Sequence, residues 1–525
     1  MGEADGYYRG GNQPGYQQQY QQQPYHNEPP PPVPPHPYGG DANAPPPLAT
    51  DNMQSEKASF EQAFQIQRPK WNDLWAGIVF LTVVAGYIGI SAWSLYRYSN
   101  TSGTVSYNVF DRQTILIFVV CLGTAFILSF LYVWLARTFT KQFIWITGIL
   151  NIIWTLGTAV YYLYRRWYSA GIVFLVFGLF LAFCFSTWIS RIPFSTLMLQ
   201  TSIDVSKNYG HVYLVSLLGG ILATGLAAWF GASLVAIYVT FGPRDDLQGN
   251  DSYSGSSGQV IGLIVFMTFA MYWITEWLKN TIHTTISGVY GSWYFCPHNF
   301  PKDATRGSLK RALTTSYGSI CFGSLIVAFI QFLRSLCSAA RSASLDQGGL
   351  AGAISYAVFC ILGCLIGLLE WAAEFFNRYA FVHIALYGKA YLAAAKDTWQ
   401  MIKNRGLDAL INDCLIGPVL GFGALAIGVI CALVSWLLAV SGTFVSSGDE
   451  LGNTDSINGS TAVIMAFAFL IGFQIANVFT TPLSSGVDTI FVAMGWDPQV
   501  MWRDHPELYQ RLVQVYPKVQ EVIQH

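Results

Sequence analysis

The chain has 525 residues, 53% of them hydrophobic and only 11% charged, with a mean hydropathy of +0.38. A soluble domain carries about 25% charged residues, so most of this protein faces something other than water. A net charge of −1 gives no argument for nucleic acid or any strongly charged partner, and nine cysteines in so long a chain are not a disulfide framework.

In chain order, residues 1–70 are of low complexity, with a Gln/Tyr run from Gln13 to Gln23 and a Pro-rich tract from Pro29 to Pro47. Such sequence buries too little apolar area to offset chain entropy, so it is expected to be a disordered tail with polyproline character. Its two readings are a solvated tail and a ligand for SH3- or WW-type domains. No basic-then-apolar signal peptide opens the chain, so the first membrane helix is expected to direct its own insertion.

After Trp71 the composition changes abruptly, and ten apolar runs reach spanning length: about 74–96, 114–135, 143–164, 169–189, 211–240, 259–279, 315–333, 350–372, 415–440 and 460–480. The expected fold is an all-α polytopic membrane protein, with a membrane domain over 71–480 and a cytoplasmic C-terminal tail over 481–525. The fifth run, about 30 residues, is long enough either to tilt or to break near Gly219-Gly220. The middle of every run lacks Lys, Arg, Asp and Glu, which argues against a charge relay at the midplane.

Two signals orient the chain. With both termini in the cytosol, Lys and Arg favour the inner segments about three to one, as the positive-inside rule expects. The three N-glycosylation sequons, at Asn100, Asn250 and Asn458, then all fall in outer loops. The inner connectors are longer: Ser190–Tyr209 reads as helical, and Ala372–Asp413 reads as a basic amphipathic continuation of the eighth span that lies on anionic lipid.

Two constellations carry chemistry. In the sixth run, Trp273, Glu276, Trp277, Asn280 and His283 share one helical face. A carboxylate flanked by indoles where the span meets the interface suits a small organic cation. It equally suits an interfacial anchor in which Glu276 pairs with Lys279. In the eighth run, Gly363, Gly367, Glu370, Glu374 and Asn377 form a row in which a G-x-x-x-G pair admits a neighbouring helix. The two acids then either line a solute path or lock helices through an ion pair with Arg378 or an inner-loop base. Gly417 and Gly421 repeat the small-residue spacing and read as packing alone.

No phosphate-cradling G-x-x-x-x-G-K-[ST] is present, nor G-x-S-x-G, nor H-E-x-x-H. Cys296 and His298 lack the further ligands of a zinc site. No catalytic residue, metal or cofactor is therefore expected, and the chain reads as a non-enzyme.

The stretches Trp273–His283, Gly288–Phe295, Ser308–Arg334, Asn377–Tyr391 and Ala395–Asp397 resemble the choline transporter-like family. The Gln/Pro-rich tail and the short Arg97–Arg112 connector resemble its fungal branch, the pH-nine-sensitive proteins. The resemblance implies ten spans, a plasma-membrane address and ATP-independent movement of choline or a related small amine. It hands over no binding residues, so the expected substrate contacts are Trp273, Glu276, Trp277, Glu370, Glu374 and Asn377, read from the two constellations. The main rival is a non-transporting scaffold that recruits partners through its tail. A lipid-modifying enzyme built on Glu276 and His283 is a second.

Overall fold

A computed structural model describes residues 70–101, 112–241, 257–298, 300–346, 349–440 and 454–515. The tail up to Pro69, the sequon at Asn250 and the end of the chain from residue 516 lie outside the described residues. No strand occurs among the described residues. The helices are α1 (Leu74–Thr101), α2 (Arg112–Thr138), α3 (Thr140–Tyr164), α4 (Tyr168–Trp188), α5 (Ile192–Asn208), α6 (His211–Phe241) and α7 (Ser257–Phe295). They continue as α8 (Ala304–Leu313), α9 (Tyr317–Asp346), α10 (Gly349–Tyr387), α11 (Tyr391–Val440), α12 (Thr454–Trp496), α13 (Pro498–Asp504) and α14 (Pro506–Val515). Ten of these segments are long and apolar enough to cross a membrane, matching the ten runs read from the sequence.

The hub is α7, which packs against α1, α6, α8, α9, α10 and α12. The α3–α4 hairpin is peripheral and touches the rest through α2, α5 and α11. Its outward residues, Ile153, Trp154, Val173, Val176 and Phe183 among them, are large, apolar and exposed. That surface is stable against acyl chains and not against water.

Several spans outrun their apolar stretch. The hydropathy of the sixth run ends near residue 279, yet α7 continues to Phe295 through Thr281, His283, Thr284, Thr285, Ser287 and Ser292, all buried. Protein rather than lipid surrounds this half. The hydroxyls of Thr284, Thr285 and Ser292 each donate to the carbonyl four residues back, which satisfies them without breaking the helix. Likewise α12 runs on from residue 481 to Trp496 with Leu483, Val487, Ile490, Phe491 and Val492 in the main core, so the tail boundary read at 481 falls inside a helix. The largest buried cluster sits at this end of the bundle, where α5, α13 and α14 close over the C-terminal halves of α7 and α12.

Three local expectations are corrected. The helix α6 is unbroken at Gly219-Gly220. A Cβ at Gly219 would meet Ile282 of α7 and one at Gly220 would meet Val478 of α12, so the glycines serve close packing. The stretch after the eighth span is not one continuing helix: α10 ends at Gly388, whose φ of 60° is the left-handed stop that glycine adopts freely, and α11 starts at Tyr391. Lys389, in the segment read as lying on lipid, has a side chain only 9% exposed and bonds Asp397 at 2.6 Å. At Gly417 and Gly421 a Cβ would meet nothing within 4 Å among the described residues, so that spacing forms no packing seam with them.

The α13–α14 pair docks on α7 through His505. Its Nε2 donates to the Tyr294 carbonyl at 2.9 Å, and its ring lies against Trp293 and Tyr294. Burial lowers the His505 pKa below the ordinary imidazole value; the carbonyl and Asp504 oppose that, and His298 adds to it. The docked state therefore binds fewer protons than the undocked one. Docking stability is fully present above about pH 6.5 and is lost as pH falls from there through the lower docked value. Hydrogen exchange over residues 498–515, corrected for intrinsic rates, is expected to speed up between about pH 7.5 and 5.5. Equal acceleration in His505→Gln would show that another group carries the dependence.

Candidate functional site

The sequence read Glu276 as lying at the end of a span. The structure puts it at the centre of α7, a helix of 39 residues. At about 100° per residue, the row of five on this helix covers an arc rather than a line. Lys279, His283, Glu276 and Asn280 occupy one side of the arc, and Trp273 and Trp277 the other.

The indole side turns toward α1 and α9. Trp273 is buried and donates Nε1 to the Cys321 carbonyl at 3.0 Å. Its ring and that of Trp277 hold Phe80 of α1 at centroid distances of 5.3 and 5.2 Å, and Trp277 also meets Tyr317. Neither indole lines the central cavity. Their work here is to fix α7 against two neighbours.

The polar side opens into a cavity of about 440 Å³ among α7, α9, α10, α11 and α12, within the ordinary range for small-molecule pockets of about 300–1,000 Å³. Its wall carries Glu276, Lys279, Asn280 and His283 from α7, and Trp371, Glu374, Asn377 and Arg378 from α10. Gly417 of α11 and Thr481, Ser484 and Ser485 of α12 complete the polar face. Pro418 and Pro482 lie inside α11 and α12 beside these residues. A proline within a helix removes one backbone hydrogen bond, and interrupted helices are tolerated in a bilayer where they line a cavity.

Two acids from different helices meet across this space. Oε1 of Glu276 accepts from Lys279 Nζ at 3.3 Å and from Gln331 Nε2 of α9 at 3.0 Å. Oε1 of Glu374 accepts from the same two donors at 3.1 and 3.4 Å. Neither Oε2 has a donor among the described residues. The Glu276 side chain is only 6% exposed, whereas Lys279 is 51% exposed, so the base sits at the open side. Glu370 lies one rung away and bonds Arg334 of α9 at 2.6 Å, outside the cavity wall. Its base thus comes from the facing membrane helix, not from Arg378 or an inner loop. A Cβ at Gly367 would stand 3.7 Å from the Arg334 guanidinium and one at Gly363 3.7 Å from Cys337 Sγ, so this glycine pair admits α9.

Two amides and a histidine hold the wall in place. Asn377 donates to the Gly323 carbonyl at 2.8 Å and accepts from the Tyr391 hydroxyl, which ties α10 to α9 and α11. Burial pushes the Tyr391 phenol up to about 12, so it stays protonated as the donor. Asn280 donates to Ser324 at 2.9 Å. His283 Nε2 faces the Arg378 carbonyl at 3.0 Å, an acceptor only, so Nε2 carries the proton and Nδ1 accepts from Ser485 at 2.9 Å. These bonds fit neutral imidazole.

The structure thus brings Glu276, Glu374 and Asn377 together, puts Glu370 in the next layer, and turns Trp273 and Trp277 away. The sequence reading did not single out Gln331, Trp371, Thr481, Ser484 or Ser485. Gln331 had a signal, as an amide inside the apolar seventh run, and Trp371 stood in the row of acids. The serines and threonine of α12 carried none.

Ten membrane-length helices among the described residues, five of them around a polar, charged cavity, make this a multi-pass membrane protein of transporter type. A family model described as plasma-membrane choline transporter matches residues 172–499. Protein PNS1 of Gibberella zeae is 59% identical over 547 residues, covering 100% of this chain and 99% of that protein. Protein pns1 of Aspergillus fumigatus is 49% identical over 92% of this chain and 91% of its own length, and Protein PNS1 of Saccharomyces cerevisiae 38% over 89% and 88%. The chain belongs to the choline transporter-like family, in its fungal pH-nine-sensitive branch.

Proposed function

We propose that this protein is an ATP-independent carrier for a small cationic or zwitterionic solute, choline or a related organic amine. Its address in this reading is the plasma membrane, with both termini cytosolic and Asn100, Asn250 and Asn458 facing out. The observation that carries the reading is the pair Glu276 and Glu374, presented by two helices to one cavity, each with a carboxylate oxygen that has no donor among the described residues. A buried acid in a membrane helix is costly and marks a solute path by default. A quaternary ammonium needs negative charge and an aromatic surface rather than hydrogen-bond acceptors. Glu276 and Glu374 supply the first. Trp371, at the cavity wall and 46% exposed, supplies the second, worth about 0.5–2 kcal/mol. Trp273 and Trp277 act behind the site by holding α7, Glu370 with Arg334 sets the α9–α10 distance, and Asn377 fixes the floor. The prolines beside the cavity give α11 and α12 a place to bend in alternating access.

The test is flux through the pure, full-length protein in lipid vesicles. Labelled choline and ethanolamine are expected to enter with saturable kinetics and without ATP. Entry no faster than into protein-free vesicles, for both amines, would reject the solute class.

A further inference from the structure

The cavity wall carries two cations of its own, Lys279 and Arg378, and the first of them stands between the acids. Lys279 Nζ stands 3.3 Å from Glu276 Oε1 and 3.1 Å from Glu374 Oε1, between the two acids that the proposed function assigns to the substrate. We propose that Lys279 is a tethered competitor: its ammonium fills the acid pair in the empty carrier and must swing out for a solute cation to bind.

This inference rests on the cavity being a cation site, and three further features carry it. The first is the asymmetry of exposure: Glu276 is held in the wall at 6%, while Lys279 is half exposed at its mouth. A lysine is a compact charge on a flexible four-carbon stem, so it leaves without moving the helix. The second is what remains when it leaves. Gln331 still donates to both acids at 3.0 and 3.4 Å, which holds their geometry but neutralises nothing. Two acids and Arg378 then share the cavity with Trp371, one positive charge short of the lysine-in state, and an incoming ammonium restores that charge. The third is spacing. Lys279 is three residues after Glu276 on α7, so it reaches that acid from the same helix, whereas Glu374 comes from α10. The lysine therefore also bridges α7 and α10.

The cycle that follows is an exchange. Solute in means lysine out; solute released means lysine back, and the charge-compensated empty carrier returns. Removing the amine separates these steps. Lys279→Gln is expected to bind choline and tetramethylammonium more tightly, by about tenfold if the lysine-out state is a tenth of the population. Net uptake is expected to slow, because the empty carrier must return with its cavity one positive charge short. Counterflow, in which the carrier always returns loaded, is expected to persist. Lys279→Arg, with a fork that engages carboxylates more rigidly, is expected to weaken binding while keeping net uptake coupled.

The experiment uses the full chain in vesicles, with tetramethylammonium as binding probe and choline for the two flux modes. A wild-type readout accompanies it and needs no variant: acylation of the Lys279 amine, read by mass spectrometry, is expected to accelerate when tetramethylammonium is added. Binding that is unchanged or weaker in Lys279→Gln, or acylation that the probe leaves unaltered or slows, overturns the competitor role while the cation site stands. Absence of probe binding in both wild type and Lys279→Gln overturns the cation site and the competitor together.

Discussion

Glu276→Gln is expected to weaken binding of a cationic solute by at least about a hundredfold, with the fold unchanged. A unit charge at about 4 Å contributes about 4 kcal/mol at an effective dielectric of 20, and a tenfold change needs about 1.4 kcal/mol. The amide keeps the shape of the carboxylate, and its Oε1 still accepts from Gln331 and Lys279, so local geometry survives. Lys279 is half exposed and retains Glu374, so no buried base is stranded. The expected signature is therefore a raised half-saturation and a lost probe affinity beside an unaltered thermal unfolding curve. Glu374→Gln is expected to cost less, about tenfold, because its side chain is 35% exposed and water screens it. Undiminished choline flux at an unchanged half-saturation in Glu276→Gln would remove this residue from the site.

The contrast between the two acids shows which parts of the site sequence can carry. Glu276, Glu374 and Asn377 were legible because a charge or an amide in an apolar helix is costly and stands out against its surroundings. The ten spans were legible for the same reason, as length and hydropathy are local properties. Direction was not. Trp273 lies only about 60° from Glu276 on the helix, and whether that edge meets a cavity or Phe80 depends on where α1 packs. Gln331 stood out as an amide in an apolar run, but which acid it or Arg334 meets is decided by the register of α9 against α7 and α10. Depth was misjudged because hydropathy assumes that lipid surrounds a helix. The second halves of α7 and α12 are instead wrapped by protein, where Thr285 or Ser292 costs little once its hydroxyl bonds the preceding turn.

Gly318→Ala is expected to destabilise the bundle by about 2–3 kcal/mol, at a site about which the apolar runs say nothing. The chain enters α1 through Asn72 and Asp73, and these two residues strap the break between α10 and α11. Asn72 donates its amide to the Gly388 carbonyl at 2.8 Å, and its backbone N–H to the Thr315 carbonyl at 3.2 Å. Asp73 Oδ2 accepts from the Tyr391 backbone N–H at 2.8 Å and from the Ser319 hydroxyl at 2.7 Å. The first of these bonds caps α11 from 318 residues away, a carboxylate against the positive end of a helix. To reach both partners Asp73 adopts a φ of 51°, a conformation that aspartate tolerates better than most side chains. The strap lies so close to α9 that a Cβ at Gly318 would collide with the backbone carbonyls of Asn72 and Asp73, which no rotamer change relieves. The methyl group must lift the strap, and lifting it uncaps α11. Asp73→Ala removes the same cap directly, and hydrogen bonds to a charged group are worth about 1.5–3 kcal/mol. Because both changes break one contact, their effects are expected to overlap, so the double variant unfolds close to where the worse single variant does. Hydrogen exchange at residues 391–394 is expected to rise in all three. Additive losses, or exchange that stays slow at the start of α11 in Gly318→Ala, would mean that the strap and the helix break are held independently.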